Sequence, residues 1–140
     1  MRVKFSVNSA CPCGSGKKYK KCCRVFHNGQ TPQTALELMK SRYSAYACGD
    51  ASYIMETTHT SNSEYNPDKI TWEQSIKAFM DDTTFNSLEI LEFIDANEES
   101  FVTFKANILI KGKDASFVEK SRFVKQNDKW FYISGEFSQS

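Results

Sequence analysis

Apolar and polar positions follow two rhythms along this chain, and the change from one to the other falls near Phe85. Before it, Leu36, Met39, Tyr43, Tyr46 and Ala47 recur at the spacing of one helix face. Thr31 stands as N-cap with Pro32 at the first helical position, where a missing N–H costs nothing, and Gly49 supplies a C-terminal stop. The pattern predicts one amphipathic helix of about 18 residues. Asp50 caps a second, shorter helix through Met55, and Thr71 with Gln74 makes a capping box for a third that carries Trp72, Ile76, Phe79 and Met80. The polar stretch between, residues 57–69, reads as a loop.

After Phe85 the period becomes two. Val102, Phe104, Ala106, Ile108 and Ile110 alternate with Thr103, Lys105, Asn107 and Lys111, the pattern of a half-buried strand. Turn signals at Asn97, Gly112-Lys113-Asp114 and Asn127-Asp128 divide the C-terminal half into four strands of roughly six to eleven residues. Helices followed by an antiparallel meander imply an α+β fold, in which a curved sheet wraps the long helix and leaves a cone. The open end of that cone is an expected pocket.

The N-terminal stretch fits neither rhythm. Arg2-Val3-Lys4-Phe5 leads into Cys11-Pro12-Cys13-Gly14-Ser15-Gly16, too rich in Pro and Gly for regular structure. Lys17 to Cys23 is expected to form a helical turn that presents Cys22 and Cys23, and a loop at Asn28-Gly29 follows.

Composition narrows the class. The 140 residues are 40% hydrophobic and 25% charged, as in a globular protein, so disorder is not expected over most of the length. No apolar run approaches the roughly 20 residues that span a bilayer, and Met-Arg-Val-Lys-Phe lacks a signal-peptide hydrophobic region. A cytosolic, non-membrane protein with reduced thiols is therefore expected.

That setting decides how the five cysteines are read. Four of them, Cys11, Cys13, Cys22 and Cys23, crowd into thirteen positions, and a tetrahedral zinc ion asks for four such ligands within a tight loop. Pro12 stiffens the first pair, while Gly14 and Gly16 allow backbone N–H groups to turn toward the sulfurs. The adjacent pair Cys22-Cys23 is the weaker part, and His27 is the alternative fourth ligand. With every position filled by protein, one zinc here would be structural and would not activate water. The rival readings are four unrelated cysteines, or a thiol redox sensor with metal-free, oxidisable cysteines.

Charge is distributed unevenly. Met1 to Asn28 holds seven basic residues and no acidic one, whereas the remainder holds eleven basic and seventeen acidic. Four thiolates on one zinc would leave the head at about +5. Lys17, Lys18, Lys20 and Lys21 then offer a docking surface for an anionic partner.

Two longer resemblances appear. Cys11-Pro-Cys-Gly-Ser-Gly-Lys-Lys-Tyr-Lys-Lys-Cys-Cys23 resembles the SEC-C zinc-binding motif. Ala35-Leu-Glu-Leu-Met-Lys-Ser-Arg-Tyr-Ser-Ala-Tyr46 before Gly49-Asp50, then Lys120-Ser-Arg-Phe-Val124 and Trp130-Phe-Tyr-Ile-Ser-Gly-Glu136, resemble the bacterial YchJ family. The likeness implies a SEC-C-like module over residues 1–29 and an NTF2-like domain over residues 30–140. It also implies docking on a protein or ribonucleoprotein partner, as SEC-C modules do. Relatives often carry a His near the Ser-Arg-Phe block, where this chain has Val118-Glu119-Lys120, so a role for such a His is not expected here.

The remaining candidates lie in the cone. Arg42, Tyr43 and Tyr46 on the long helix, with Arg122, Trp130, Tyr132 and Glu136 on the last strands, either line a small-molecule pocket or form a core pinned by a buried Arg–carboxylate pair. In the pocket reading Arg42 and Arg122 orient an anionic group. Cys48 reads as a packed small hydrophobe, and His59 as a solvent-exposed loop residue. Asp81-Asp82 are expected at a helix end, where two acids oppose the helix dipole. No phosphate-binding loop, metalloprotease motif or nucleophile elbow is present, so the sequence offers no catalytic constellation.

Overall fold

The computed structural model describes residues 6–138, so the segment Arg2-Val3-Lys4-Phe5 lies outside the described residues. A 3₁₀ turn at Tyr19–Lys21 leads directly into α1 (Cys23–His27). Three longer helices follow, α2 (Ala35–Cys48), α3 (Ala51–Glu56) and α4 (Lys69–Asp82), and then the strands β1 (Thr83–Ile94), β2 (Glu99–Ile110), β3 (Lys113–Asp114), β4 (Phe117–Gln126) and β5 (Lys129–Ser138). All pairings are antiparallel in the order β1-β2-β4-β5, with the two-residue β3 continuing the β4 edge of β2.

Helix starts differ from expectation for a local reason. The long helix begins at Ala35 with Thr34 as N-cap, not at Thr31. Thr34 has Glu37 three residues on; its hydroxyl accepts from the Glu37 N–H, and the Glu37 carboxylate accepts from the Gln33 N–H. Thr31 has Thr34 at that position, which supplies no carboxylate. Likewise α4 starts at Lys69, because Asp68 accepts from both the Thr71 N–H and the Thr71 hydroxyl. A carboxylate also complements the helix dipole better than the expected Thr71 cap.

Helix ends follow expectation. Gly49 is left-handed at φ 83°, and Asp50 N–H reaches back to the Ala45 carbonyl at 2.8 Å. The Asp50 carboxylate then caps α3. At the end of α4 the Asp81-Asp82 pair meets Lys111, whose backbone N–H donates to the Asp82 carbonyl and whose ammonium stands 4.0 Å from the Asp82 carboxylate. That half-exposed contact offsets part of the dipole penalty.

Two tight hairpins set the strand register. Lys111-Gly112 and Asn127-Asp128 each carry two consecutive positive φ angles, the requirement of a two-residue turn matched to strand twist. Asn127-Asp128 agrees with expectation, whereas the turn expected over Gly112-Lys113-Asp114 contracts to Lys111-Gly112 and releases Lys113 and Asp114 to pair with Ile110 and Leu109.

The alternation of β2 puts Val102, Phe104, Ala106 and Ile108 on the inner face, all buried. Helices α2 and α4 pack on that face, with Leu38, Met39, Ile76 and Met80 completing the core alongside Phe123. Among the described residues no helix is long and apolar enough to cross a membrane.

Candidate functional site

The N-terminal residues fold into a small loop closed by backbone bonds from Cys11 N–H to the Lys17 carbonyl and from Tyr19 N–H to the Ser9 carbonyl. Gly14 and Gly16, at φ 83° and 84°, turn the chain between these rungs. Cys22 sits at the break between the 3₁₀ turn and α1, with backbone angles that belong to neither. That break lets two consecutive cysteines face the same point, which regular helix or strand would forbid. The result is one cluster, with the Sγ atoms of Cys11, Cys13, Cys22 and Cys23 all within 4.8 Å of one another.

Hydroxyl groups stand against the outer sulfurs. Ser15 Oγ lies 3.1 Å from Cys22 Sγ, and Ser44 Oγ, from α2, lies 3.4 Å from Cys11 Sγ. Held this close, the thiols cannot ionise independently. Hydrogen bonds from Cys13 and Cys23 keep Cys11 well below the ordinary thiol value, while the same contacts with Cys11 push Cys13 up to about 11 and Cys23 higher still. Four thiolates at one point require a cation, and this cluster could hold a metal ion.

His27 is engaged elsewhere. Its Nε2 meets the Ser41 carbonyl of α2 at 2.8 Å, which makes Nε2 the protonated nitrogen, so Nδ1 accepts from the Tyr19 hydroxyl at 2.6 Å. Both ring nitrogens are committed, and the ring packs 4.7 Å from that of Tyr53. His27 therefore ties the N-terminal loop to α2 and α3, and of the two candidates Cys23 stands in the cluster while His27 does not. Cys48 packs beside the same cluster as a partly buried hydrophobe. His59 accepts the Ser61 N–H and pairs with Gln126, holding the 57–68 loop on the sheet edge.

A second site lies under α2. A cavity of about 480 Å³ opens between α2, α4 and the inner sheet face, with Arg42, Tyr43 and Tyr46 on its wall. Three expected members are absent from that wall. Arg122 points to the outer face of β4 and pairs there with Glu99, about half exposed. Trp130 is buried in the core, its ring beneath the Lys125 ammonium, and exposed Glu136 also lies away from the cavity.

In their place the cavity holds Glu119 and Ser121, beside the expected Tyr132. Glu119 is only 6% exposed, and its Oε2 accepts from the Ser121 hydroxyl at 2.6 Å and the Tyr132 hydroxyl at 2.7 Å. The Arg42 guanidinium lies 4.7 Å above the Tyr132 ring and donates to the Ile54 carbonyl and the hydroxyls of Thr57 and Thr58. The expected direct Arg–carboxylate pair is thus replaced by an Arg42–Tyr132–Glu119 stack. Sequence parity carried a signal for this: Phe117, Glu119, Ser121 and Phe123 share one face of β4, and Phe123 is 1% exposed.

Burial pushes the Glu119 carboxyl above its ordinary value of 4.5, against the lowering effect of its two hydroxyl donors and Arg42. A raised folded-state value means that the stabilising contribution is complete below pH 4.5 and is lost as pH rises through the folded value. Glu119→Gln should therefore flatten the fall in stability with rising pH, as read from urea titrations across pH 4–9. An unchanged slope would assign the pH dependence to other groups.

Gly135 makes room for this carboxyl. An extra residue at Ile133 shifts the β5 register so that Gly135 faces Ser121. A Cβ at Gly135 would collide with Glu119 Oε2 and stand 2.8 Å from the Tyr132 hydroxyl. Gly135→Ala should cost about 1–3 kcal/mol in chemical denaturation by overpacking. A neutral result would mean that Glu119 moves aside freely.

Comparison with known proteins places these features in a group. The family described as YchJ, middle NTF2-like domain, matches residues 34–135, and the SEC-C motif matches residues 8–24. The UPF0225 protein of Vibrio parahaemolyticus is 38% identical over 94% of this chain and 77% of its own length. The UPF0225 protein YchJ of Shigella dysenteriae is 33% identical over 92% of this chain and 84% of its own. A SEC-C motif containing protein from Rhodopseudomonas palustris, solved in solution, superposes with TM-score 0.74 at 32% identity, covering 90% of this chain and 96% of that one. Another, from Psychrobacter arcticus, gives TM-score 0.75 at 24% identity over 93% and 83%, and shows the fold alone.

Proposed function

Because the chain belongs to the YchJ family and carries its NTF2-like domain behind a SEC-C motif, we propose that it is a zinc-stapled interaction protein whose basic N-terminal module docks on an acidic protein or ribonucleoprotein surface. A closed set of four thiolates suits a tetrahedral structural zinc. Tetrahedral zinc with bonds of about 2.3 Å spaces its sulfurs about 3.8 Å apart; Cys13 and Cys22 stand 3.6 Å apart. All four positions are protein, so the ion would be structural. Reduced thiols fit a cytosolic setting. In this reading residues 1–29 form the docking unit and residues 30–140 the body that carries it.

The observation that carries the docking role is the state of Lys17, Lys18, Lys20 and Lys21. All four are exposed, and no ion pair among the described residues uses any of them. The backbone bonds of Cys11 to Lys17, of Lys20 to Val7 and of Lys21 to Lys18 hold their main chain in place. The main chain that carries the four charges is therefore held in place and no ion pair among the described residues neutralises them, the arrangement that steers an anionic partner.

Replacing the four lysines by Glu should lower partner recovery from a lysate at least tenfold, an order-of-magnitude estimate for four reversed contacts. Metal content should be unchanged. Loss of recovery on ribonuclease treatment would identify a ribonucleoprotein, and recovery should then fall steeply with salt. Unchanged recovery by the Glu variant would remove the docking role.

A further inference from the structure

The cavity under α2 is the second built site of this molecule, and its chemistry differs from that of the basic module. At about 480 Å³ it falls within the range of pockets that hold small organic molecules. Nearly half of its lining residues carry rings, including Tyr43, Phe79, Phe85, Phe104 and Phe117. Such a wall favours a flat apolar occupant.

Glu119 interrupts the rings. Both hydroxyl donors converge on Oε2, so Oε1 has no hydrogen-bond partner among the described residues. The buried side-chain atom sealed from solvent without a partner is Trp130 Nε1. Glu119 Oε1 is therefore unpaired yet open to space, and Glu119 lies on the wall of this cavity. With Oε2 already accepting twice, a proton on this carboxyl resides on Oε1. That atom offers an acceptor when ionised and a donor when protonated. A hydroxyl, itself donor and acceptor, satisfies either state.

Charge argues against an ionic occupant. Arg42 already donates through Nη1 to three oxygens and faces the Tyr132 ring. Glu64, exposed at the cavity wall, would repel an anion. A cation would have to give up its hydration among rings beside Arg42.

We propose that this cavity binds an uncharged, flat aromatic molecule bearing one hydroxyl, seated among the rings with that hydroxyl on Glu119 Oε1. The site is independent of the docking surface, since none of the four lysines borders it.

The test uses the full metal-loaded chain and three probes, 2-naphthol, 2-methoxynaphthalene and naphthalene, followed by calorimetry or probe fluorescence. The expected result is saturable binding of one 2-naphthol per chain, at least about tenfold tighter than either probe without a hydroxyl hydrogen, the scale of one hydrogen bond to a charged group. In Glu119→Met that preference should vanish while naphthalene still binds, which also reports that the pocket is intact. Ser75→Trp, on the exposed side of α4 where it meets the wall, should weaken all three. Absence of saturable 2-naphthol binding to wild type would overturn the proposal. So would equal affinity for the three probes, a preference that survives Glu119→Met, or binding indifferent to Ser75→Trp. The wild-type comparison and Ser75→Trp decide the matter even where Glu119→Met does not fold.

Discussion

Wild type should carry one zinc per chain, and Cys11→Ser and Cys23→Ser should each abolish it and unfold the N-terminal module, while the sheet and α2 stay folded. The module is too short to hold itself by apolar burial. Among the described residues its buried hydrophobic members are Cys11, Cys13, Tyr19 and Cys23, and three of those four are proposed ligands. Apparent zinc binding energies of roughly 10–16 kcal/mol are typical where folding and metal binding are one event, so no other interaction in the module competes with the ion. The body loses less. The His27–Ser41 and Cys11–Ser44 contacts vanish, but the Ser41 and Ser44 groups, buried in the intact protein, are uncovered to water when the module unfolds, and a cost of about 1–2 kcal/mol follows.

Elemental analysis beside amide hydrogen exchange separates the two effects. Residues 7–27 should lose protection in the variants and the strands should keep it. His27→Ala provides the control, because a residue with both ring nitrogens bonded elsewhere should leave metal content intact while weakening the join to α2. Metal loss in His27→Ala with retention in Cys23→Ser would reverse the assignment of the fourth ligand. A wild-type protein without metal would remove the zinc reading and return the cysteines to redox chemistry.

Arg42→Leu should be the most damaging substitution in the body, at about 3–5 kcal/mol at neutral pH, the range for removing one member of a buried charge set. Arg42 is 8% exposed and joins α2 to the end of α3 through the Ile54 carbonyl and the two threonine hydroxyls. Its charge also favours the ionised form of Glu119, which burial disfavours. Deleting the guanidinium raises the folded-state value of that carboxyl further. The penalty should therefore be larger at pH 8 than at pH 4, where Glu119 is protonated and needs no counter-charge. In the double variant with Glu119→Gln the pH-dependent part should disappear, leaving only the lost hydrogen bonds and packing. A penalty independent of pH would show that Arg42 acts on α3 alone and that the stack over Tyr132 has no electrostatic role.

The amino-acid sequence by itself determined those features that depend on neighbours a few residues apart. Four cysteines within thirteen positions meet at one point because the ring they close is small. Gly49 ends α2, Asp50 caps the next helix and Asn127-Asp128 turns a hairpin because each acts on backbone groups within one turn of itself. The period-two run of β2 announced its buried face for the same reason. Even the helix starts, observed at Thr34 and Asp68 and not at the expected Thr31 and Thr71, turned on side chains three residues away that local reading can weigh.

Only the tertiary structure decided which polar side chains enter the cavity. Glu136 leaves the inner face because the β5 register changes at the Ile133 bulge, whereas Arg122 lies outward by the parity of β4 and Trp130 is buried in the core away from the cavity. The same shift brings Gly135 opposite Ser121 and opens the space that Glu119 occupies. His27 stands outside the cysteine cluster because the Ser41 carbonyl and Tyr19 hydroxyl, one of them fourteen residues away, claim both nitrogens. Contacts between distant segments carry no periodicity in the chain, so their partners are set by packing alone.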